Sequence, residues 1–229
     1  MMRHHRFSGV YTDERGLYTV SSFPGERVYG ERLVRSGKKE YRSWNPRRSK
    51  LAAYLQKGGN IFPFETASRV LYLGAASGTT ASHISDVVVK GQIICVEFST
   101  RSFRDLVDMA RDRPPIVPIL ADARNPEGYV SIVGQADIIY QDVSQRDQLD
   151  IFIKNANRML ALDGTGILML KARSVDSSVD PKKLYRRTVE LLEEQDYRTM
   201  DIVELTPFQK DHAAIVVSRS RKRSTRHPT

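Results

Sequence analysis

The stretch Arg69 to Thr80, RVLYLGAASGTT, constrains the fold of this 229-residue chain more than any other. An apolar run, Val70 to Leu73, delivers a loop of small residues, Gly74-Ala75-Ala76-Ser77-Gly78, and Thr79-Thr80 then open a helical pattern. A strand that turns through small residues into a helix brings backbone amides close to whatever lies beyond its carboxyl end. The same turn also serves as plain packing, so the rest of the chain has to decide its meaning.

From Arg69 onward, strand-length apolar runs alternate with helical stripes. The runs are Val70 to Leu73, Gln92 to Phe98, Ile116 to Leu120, Asp137 to Val143 and Gly166 to Lys171; the stripes include Ala81, Ile84, Val88 and Tyr185, Val189, Leu192. This alternation predicts an α/β fold with a doubly wound, mostly parallel sheet covered on both faces. Two further runs, Asp201 to Leu205 and Ala213 to Ser218, are joined only by Thr206 to His212, which is too short for a crossover. The seventh and last strand is therefore expected to run antiparallel.

Before this domain, residues 10–42 carry short alternating stretches broken at Phe23-Pro24-Gly25-Glu26 and Ser36-Gly37, the pattern of a small antiparallel unit of three or four strands. Asn45-Pro46 reads as an N-cap and first helical residue for a helix Arg47 to Lys57 that stops at Gly58-Gly59. The expected organisation is a β-rich unit with a linking helix over residues 1–57, the larger domain over 58–218 and a basic tail over 219–229. Charge follows the same division: residues 1–57 carry 13 Lys/Arg against 5 Asp/Glu, the last eleven residues carry 5 basic and no acidic side chains, and the net charge is +9. Basic ends around a mildly acidic middle suit a polyanion such as RNA; a solvated tail is the plainer reading of RSRKRSTRHPT. No run is long enough to span a membrane and the N-terminus lacks an apolar signal core, so a soluble cytoplasmic protein is expected. Cys95, the single cysteine, sits inside an apolar run and reads as buried and inert; the histidines show no metal-ligand spacing, so no metal site is expected.

Ligands of doubly wound sheets gather outside the carboxyl ends of the strands. Those ends here are Gly74 to Thr80 with Ala75 beside the glycine, Glu97-Phe98, Asp122-Ala123, Asp142-Val143-Ser144-Gln145, and Lys171. Glu97 follows Gly74 at the distance usual for an acid that accepts from a ribose diol, and Asp122 on the next strand suits an exocyclic adenine amine. Phe98 could pack on an adenine, although an aromatic at a strand end serves equally as core. These positions point to an adenosine cofactor. GAASGTT departs from the dinucleotide pattern GxGxxG and lacks the lysine of a phosphate-binding loop, which favours S-adenosylmethionine, its carboxylate held at Thr79-Thr80. Asp142 and Lys171 end neighbouring strands, and Lys50 comes from the basic helix before the sheet. A lysine ammonium beside a hydroxyl favours its ionised form, with a carboxylate to orient the lysine; a rim salt bridge is the plainer alternative. Asp211 and His212 are placed to close that site.

Taken together these residues resemble the archaeal form of the fibrillarin-like RNA 2′-O-methyltransferases. The matching stretches are YRSWNPRRSKLAAYL, VLYLGAASGTTASHISD, VEFSTRSFRDL, ILADARNPEGY, IIYQDVSQRDQLDIF, LMLKARSVD and LTPFQKDHA. The resemblance implies a class I, Rossmann-like S-adenosylmethionine-dependent fold, cofactor contacts among the strand-end residues above, and a catalytic set drawn from Lys50, Asp142, Lys171 and Asp211 or His212. It also implies work within a box C/D ribonucleoprotein, with guide RNA, target rRNA or tRNA, a Nop-family scaffold protein and a kink-turn-binding ribosomal-type protein. Methyl transfer to protein or a small molecule, a structural RNA-binding role and a nicotinamide dehydrogenase are the rival readings of the residues themselves.

Overall fold

A computed structural model describes residues 2–219. The expected basic tail therefore lies outside the described residues except for Arg219.

The N-terminal unit is one antiparallel sheet. Its strands are β1 (Arg3–His4), β2 (Val10–Asp13), β3 (Gly16–Val20), β4 (Leu33–Ser36) and β5 (Lys39–Trp44), in the order β1-β2-β3-β5-β4. Four of them, β2 to β5, fill the stretch for which the alternation predicts three or four; β1 lies before it and, at two residues, is too short to show a period.

The helix that follows, α1 (Lys50–Gln56), starts three residues later than the sequence predicts. Asn45 does cap, but it caps a turn: its Oδ1 accepts from Arg47 N at 2.9 Å and its carbonyl from Arg48 N and Ser49 N, both at 3.0 Å. Asn side chains compete in this way with helix initiation. Ser49 is the true N-cap, its hydroxyl accepting from Ala52 N. Arg47 and Arg48 consequently stand on an exposed turn, and of the three cations expected at the helix start only Lys50 is in the first turn. Five consecutive residues, Leu51 to Leu55, are buried, so α1 is packed all round.

The second sheet is built from β6 (Arg69–Leu73), α2 (Thr79–Val87), β7 (Gln92–Glu97), α3 (Thr100–Ala110), β8 (Ile116–Leu120), α4 (Val130–Val133), β9 (Ala136–Gln141), α5 (Gln148–Met159), β10 (Leu160–Lys171), α6 (Ala172–Val175), α7 (Pro181–Glu194), β11 (Tyr197–Glu204) and β12 (His212–Arg219). Strand order is β11-β12-β10-β9-β6-β7-β8, and only β12 runs against its neighbours, as its short connection requires. The chain leaves β6 toward β7 and β8, then returns to β9 on the other side, so the switch in strand order falls between β6 and β9.

Alternate residues of β6 feed two cores. Val70 and Tyr72 join the layer holding α1 and α2, whereas Leu71 and Leu73 join Phe152 and Leu192 on the opposite face. Cys95 is completely buried in the first layer, and burial pushes its thiol far above the ordinary range, which makes it inert.

A buried polar network locks the N-terminal sheet to α2. Arg42 of β5 has no exposed surface and donates to Glu31, to Asp86 at 2.8 Å and to the Ser82 hydroxyl at 2.9 Å. Asp86 also accepts from Arg113 at 2.9 Å and from Thr19 Oγ1 at 2.7 Å. Two cations and two carboxylates out of water hold only because each faces the other. Beside them His83 sits between the Thr19 and Tyr29 hydroxyls, each 2.8 Å away, and stacks on Trp44. Burial, aided by Arg42 and Arg113, holds this imidazole neutral. Through α2 the network fixes the helix that the Gly74 loop opens into.

Candidate active site

The loop after β6 is shaped by two glycines with different jobs. Gly74 has φ +78°, and a Cβ there would stand 2.8 Å from the Asp142 carbonyl oxygen and 2.9 Å from Val143 Cγ1. It lets the ends of β6 and β9 approach at the switch point. Gly78 has φ +87° and faces Met109 of α3, which a Cβ would overlap. Its role is helix packing and left-handed entry into α2, and it supplies no side-chain cap to that helix. The first-turn amides of α2 are therefore free of a capping side chain, which is what an arriving carboxylate needs.

Glu97, at the end of β7, is buried and its carboxylate is locked from both sides. Oε2 accepts from Ala76 N at 2.9 Å and Oε1 from Ser99 N at 2.8 Å. Each oxygen keeps a second lone pair, so the group is fixed and still able to accept from a vicinal diol. Phe98 beside it is 62% exposed, free to take a planar ring on its surface. Asp122 follows on the next strand end. Its Oδ1 accepts from Arg124 N at 2.9 Å, and the Arg124 guanidinium reaches across to Asp147 at 2.7 Å, which holds the Asp147 carboxyl below its usual range. Ala123 is buried, and its carbonyl is taken by Asn155.

The threonines divide. Thr79 is half-buried at the helix start, whereas Thr80 is buried and donates to the Ser49 hydroxyl at 2.9 Å. The Thr80 hydroxyl therefore splices α2 to α1 instead of facing the groove; only its backbone amide remains for a ligand. Val143 is buried against Gly74, Ser144 is exposed and Gln145 half-buried.

Across the groove Lys50, Asp142, Lys171 and His212 converge. Lys50 Nζ meets Asp142 Oδ1 at 2.6 Å, both side chains mostly buried, so the cation at the α1 start has its counterion. Lys171 ends β10 directly opposite His212 on β12, and its ammonium makes no ion pair among the described residues. His212 is buried, and its Nδ1 lies 2.7 Å from the Lys210 carbonyl, a bond in which the ring nitrogen must be the donor. Nε2 therefore carries the lone pair. Burial pulls the imidazole below its usual range, the cations Lys50 and Lys171 acting the same way while the Lys210 carbonyl and Asp142 oppose them. The Asp211 carboxylate accepts from Arg173 Nε at 2.6 Å. Of the two alternatives at the start of β12, His212 is the one whose imidazole stands in the field of Lys50, Asp142 and Lys171.

The sequence reading missed Ser49, Arg124 and Gln148. Gln148, the first residue of α5, is wholly buried and clamps the backbone of Lys171. A glutamine at a helix start reads as solvated in sequence, and only the fold shows it enclosed. Among the described residues no three His, Cys, Asp or Glu side chains gather as metal ligands.

Comparison with known proteins identifies the family. The family model described as Fibrillarin matches residues 1–221. A fibrillarin-like rRNA/tRNA 2′-O-methyltransferase of Methanothermobacter thermautotrophicus is 46% identical over 211 residues, 92% of this chain and 94% of the relative. The crystal structure of Aeropyrum pernix fibrillarin with natively bound S-adenosyl-L-methionine is 44% identical, covers 95% of this chain and 97% of its own, and superposes with a TM-score of 0.87. A fibrillarin/Nop5p complex structure contributes a chain 40% identical, with 92% and 97% covered and a TM-score of 0.85.

Proposed function

Because the chain belongs to the fibrillarin family, we propose that it transfers a methyl group from S-adenosylmethionine to ribose 2′-hydroxyls of rRNA and tRNA as part of a box C/D ribonucleoprotein. The observation that carries the chemistry is the convergence of Lys50, Asp142, Lys171 and His212 at the carboxyl ends of β9 and β10, one strand from the small-residue loop.

The groove fits the cofactor. Glu97 would accept from the ribose diol, Phe98 would offer its ring to the adenine, Asp122 and the Ala123 backbone would serve its edge, and the uncapped first turn of α2 at Thr79 and Thr80 would hold the methionine carboxylate. Gly74 and Ala75 give the backbone clearance, and Asp142 to Gln145 form the wall nearest the reacting centre. When bound, S-adenosylmethionine supplies an electrophilic methyl group on its sulfonium. The unpaired ammonium of Lys171 faces the ribose hydroxyl and stabilises the charge that grows on oxygen as its proton leaves. Asp142 holds Lys50 and sets the second cation at the same spot. His212, neutral with its lone pair on Nε2, is the acceptor for the hydroxyl proton. Alignment of the reacting atoms contributes the larger part of the rate.

Exposed Arg47, Arg48, Arg146, Arg173 and Lys210, each within four residues of a cluster member along the chain, suit an RNA backbone. A Nop-family protein is the scaffold, and guide RNA with a kink-turn-binding protein selects the nucleotide. No described helix is long and apolar enough to cross a membrane, in keeping with a cytoplasmic particle. Reconstitution of this chain with those partners tests the reading. Labelled methyl groups should appear at the nucleotide the guide specifies and move when the guide is changed; transfer independent of the guide, or to protein, contradicts it.

A further inference from the structure

Gln148 has no exposed surface, and an amide buried without partners is costly. Here every polar atom of the carboxamide is engaged. Oε1 accepts from Lys171 N at 2.8 Å, while Nε2 donates to the Lys171 carbonyl at 3.1 Å and to the Gln145 carbonyl at 3.0 Å. The reason lies in the sheet. The parallel ladder between β9 and β10 ends at Gln141 and Leu168, so on that edge the backbone of Lys171 has lost its strand partner. The side chain of Gln148 substitutes for the missing strand, presenting one acceptor and one donor to one residue, as a paired strand does. The Gln148 carbonyl in turn accepts from Gln141 Nε2 at 2.6 Å, and Gln141 is itself fully buried and immediately precedes Asp142. One residue thus ties together, through its main chain, the end of β9 and, through its side-chain amide, Gln145 and the residue whose ammonium makes no ion pair among the described residues.

We propose that Gln148 is a positioning residue for methyl transfer, acting through the Lys171 backbone to set where its ammonium stands relative to Asp142 and the cofactor wall. The proposal rests on the reading of Lys171 as a participant in the reaction. Methionine at this position fills the same volume and removes all three bonds, leaving Lys171 free to shift by fractions of an ångström, enough to matter where alignment carries the rate.

The test is a double-mutant cycle in the reconstituted particle, read as single-turnover methylation with saturating S-adenosylmethionine and guide-matched RNA. Gln148→Met should slow transfer at least about tenfold when Lys171 is present and less than about twofold in a Lys171→Ala background, because a residue that acts only through Lys171 has nothing left to position. Equal fold losses in both backgrounds mark a general structural role and overturn the proposal, as does a Gln148→Met rate close to that of the unaltered protein. A Lys171→Ala rate near normal overturns instead the reading beneath it. Should the methionine variant not fold, Gln148→Glu keeps the shape and the acceptor for Lys171 N while setting a carboxylate against two carbonyls. Its deficit should show the same dependence on Lys171 and should shrink as pH falls and the new carboxyl becomes a donor; a deficit that is insensitive to both contradicts the proposal.

Discussion

Replacing Glu97 by glutamine has an outcome that geometry fixes in advance. The two carboxylate oxygens each accept one backbone hydrogen bond, from Ala76 N and from Ser99 N. An amide has a single oxygen, so whichever way it is flipped, its NH2 group confronts one of those N–H donors. A donor left unpaired costs up to about 1–3 kcal/mol when buried and less at these part-buried bonds, and this loss falls on the free protein as reduced stability of the loop and of the α3 entry. The cofactor loses separately. One ribose hydroxyl forfeits its acceptor and the other exchanges a charge-assisted bond for a neutral one, together about 3 kcal/mol, or roughly a hundredfold in affinity. Calorimetric titration of the free protein with S-adenosylmethionine reads the second term, and thermal unfolding without cofactor reads the first. An affinity within about threefold of the unaltered protein would refute the assignment of Glu97 to the ribose. An unchanged unfolding midpoint would refute the claim that both oxygens are committed.

Other consequences follow from the buried groups. Arg42→Met should destabilise the protein by about 3–5 kcal/mol in urea unfolding, since Glu31 loses its buried cation while Asp86 keeps only Arg113; a loss under about 1 kcal/mol would mean the pairs do not hold the N-terminal sheet to α2. Stability should fall on acidification. The folded-state pKa of His83 is lowered well below 6.5, so between about pH 6.5 and that lower value the unfolded chain binds a proton that the folded chain refuses. The slope reaches at most about 1.4 kcal/mol per pH unit for this group, and His212 adds to it in the same direction. His83→Gln should flatten the dependence measured by urea unfolding across this range; an unaltered slope would show that the imidazole is not its source.

Much of this architecture was legible because the physics was local. The continuous apolar run of β6, the small-residue turn after it, and the seven-residue link before the last strand each dictate one geometry. Acids at successive strand ends also carried a signal, since Glu97, Asp122 and Asp142 come to one rim only if the strands are parallel. What sequence could not show depended on which neighbour a polar group meets. Asn45-Pro46 has the composition of a helix start, but the Asn45 side chain closes a turn and the helix waits for Ser49. Thr80 carries the hydroxyl expected of a ligand contact and spends it on Ser49. Asp211 and His212 are adjacent in sequence, and the ion pair of Asp211 with Arg173 is invisible there. Arg42 reads as one more exposed cation in a basic segment and is wholly buried. In each case the residue type was informative and the partner was not, because the partner lies far along the chain.

On the reading proposed above, Lys171 acts in the transfer step and does not hold the cofactor. Lys171→Ala in the reconstituted particle, with single-turnover methylation and S-adenosylmethionine affinity measured on the same preparation, separates these roles. The rate should fall at least about a hundredfold with affinity within about threefold, the pattern of a group that acts on the reacting oxygen. A near-normal rate, or a loss of rate explained by weaker cofactor binding, would contradict it.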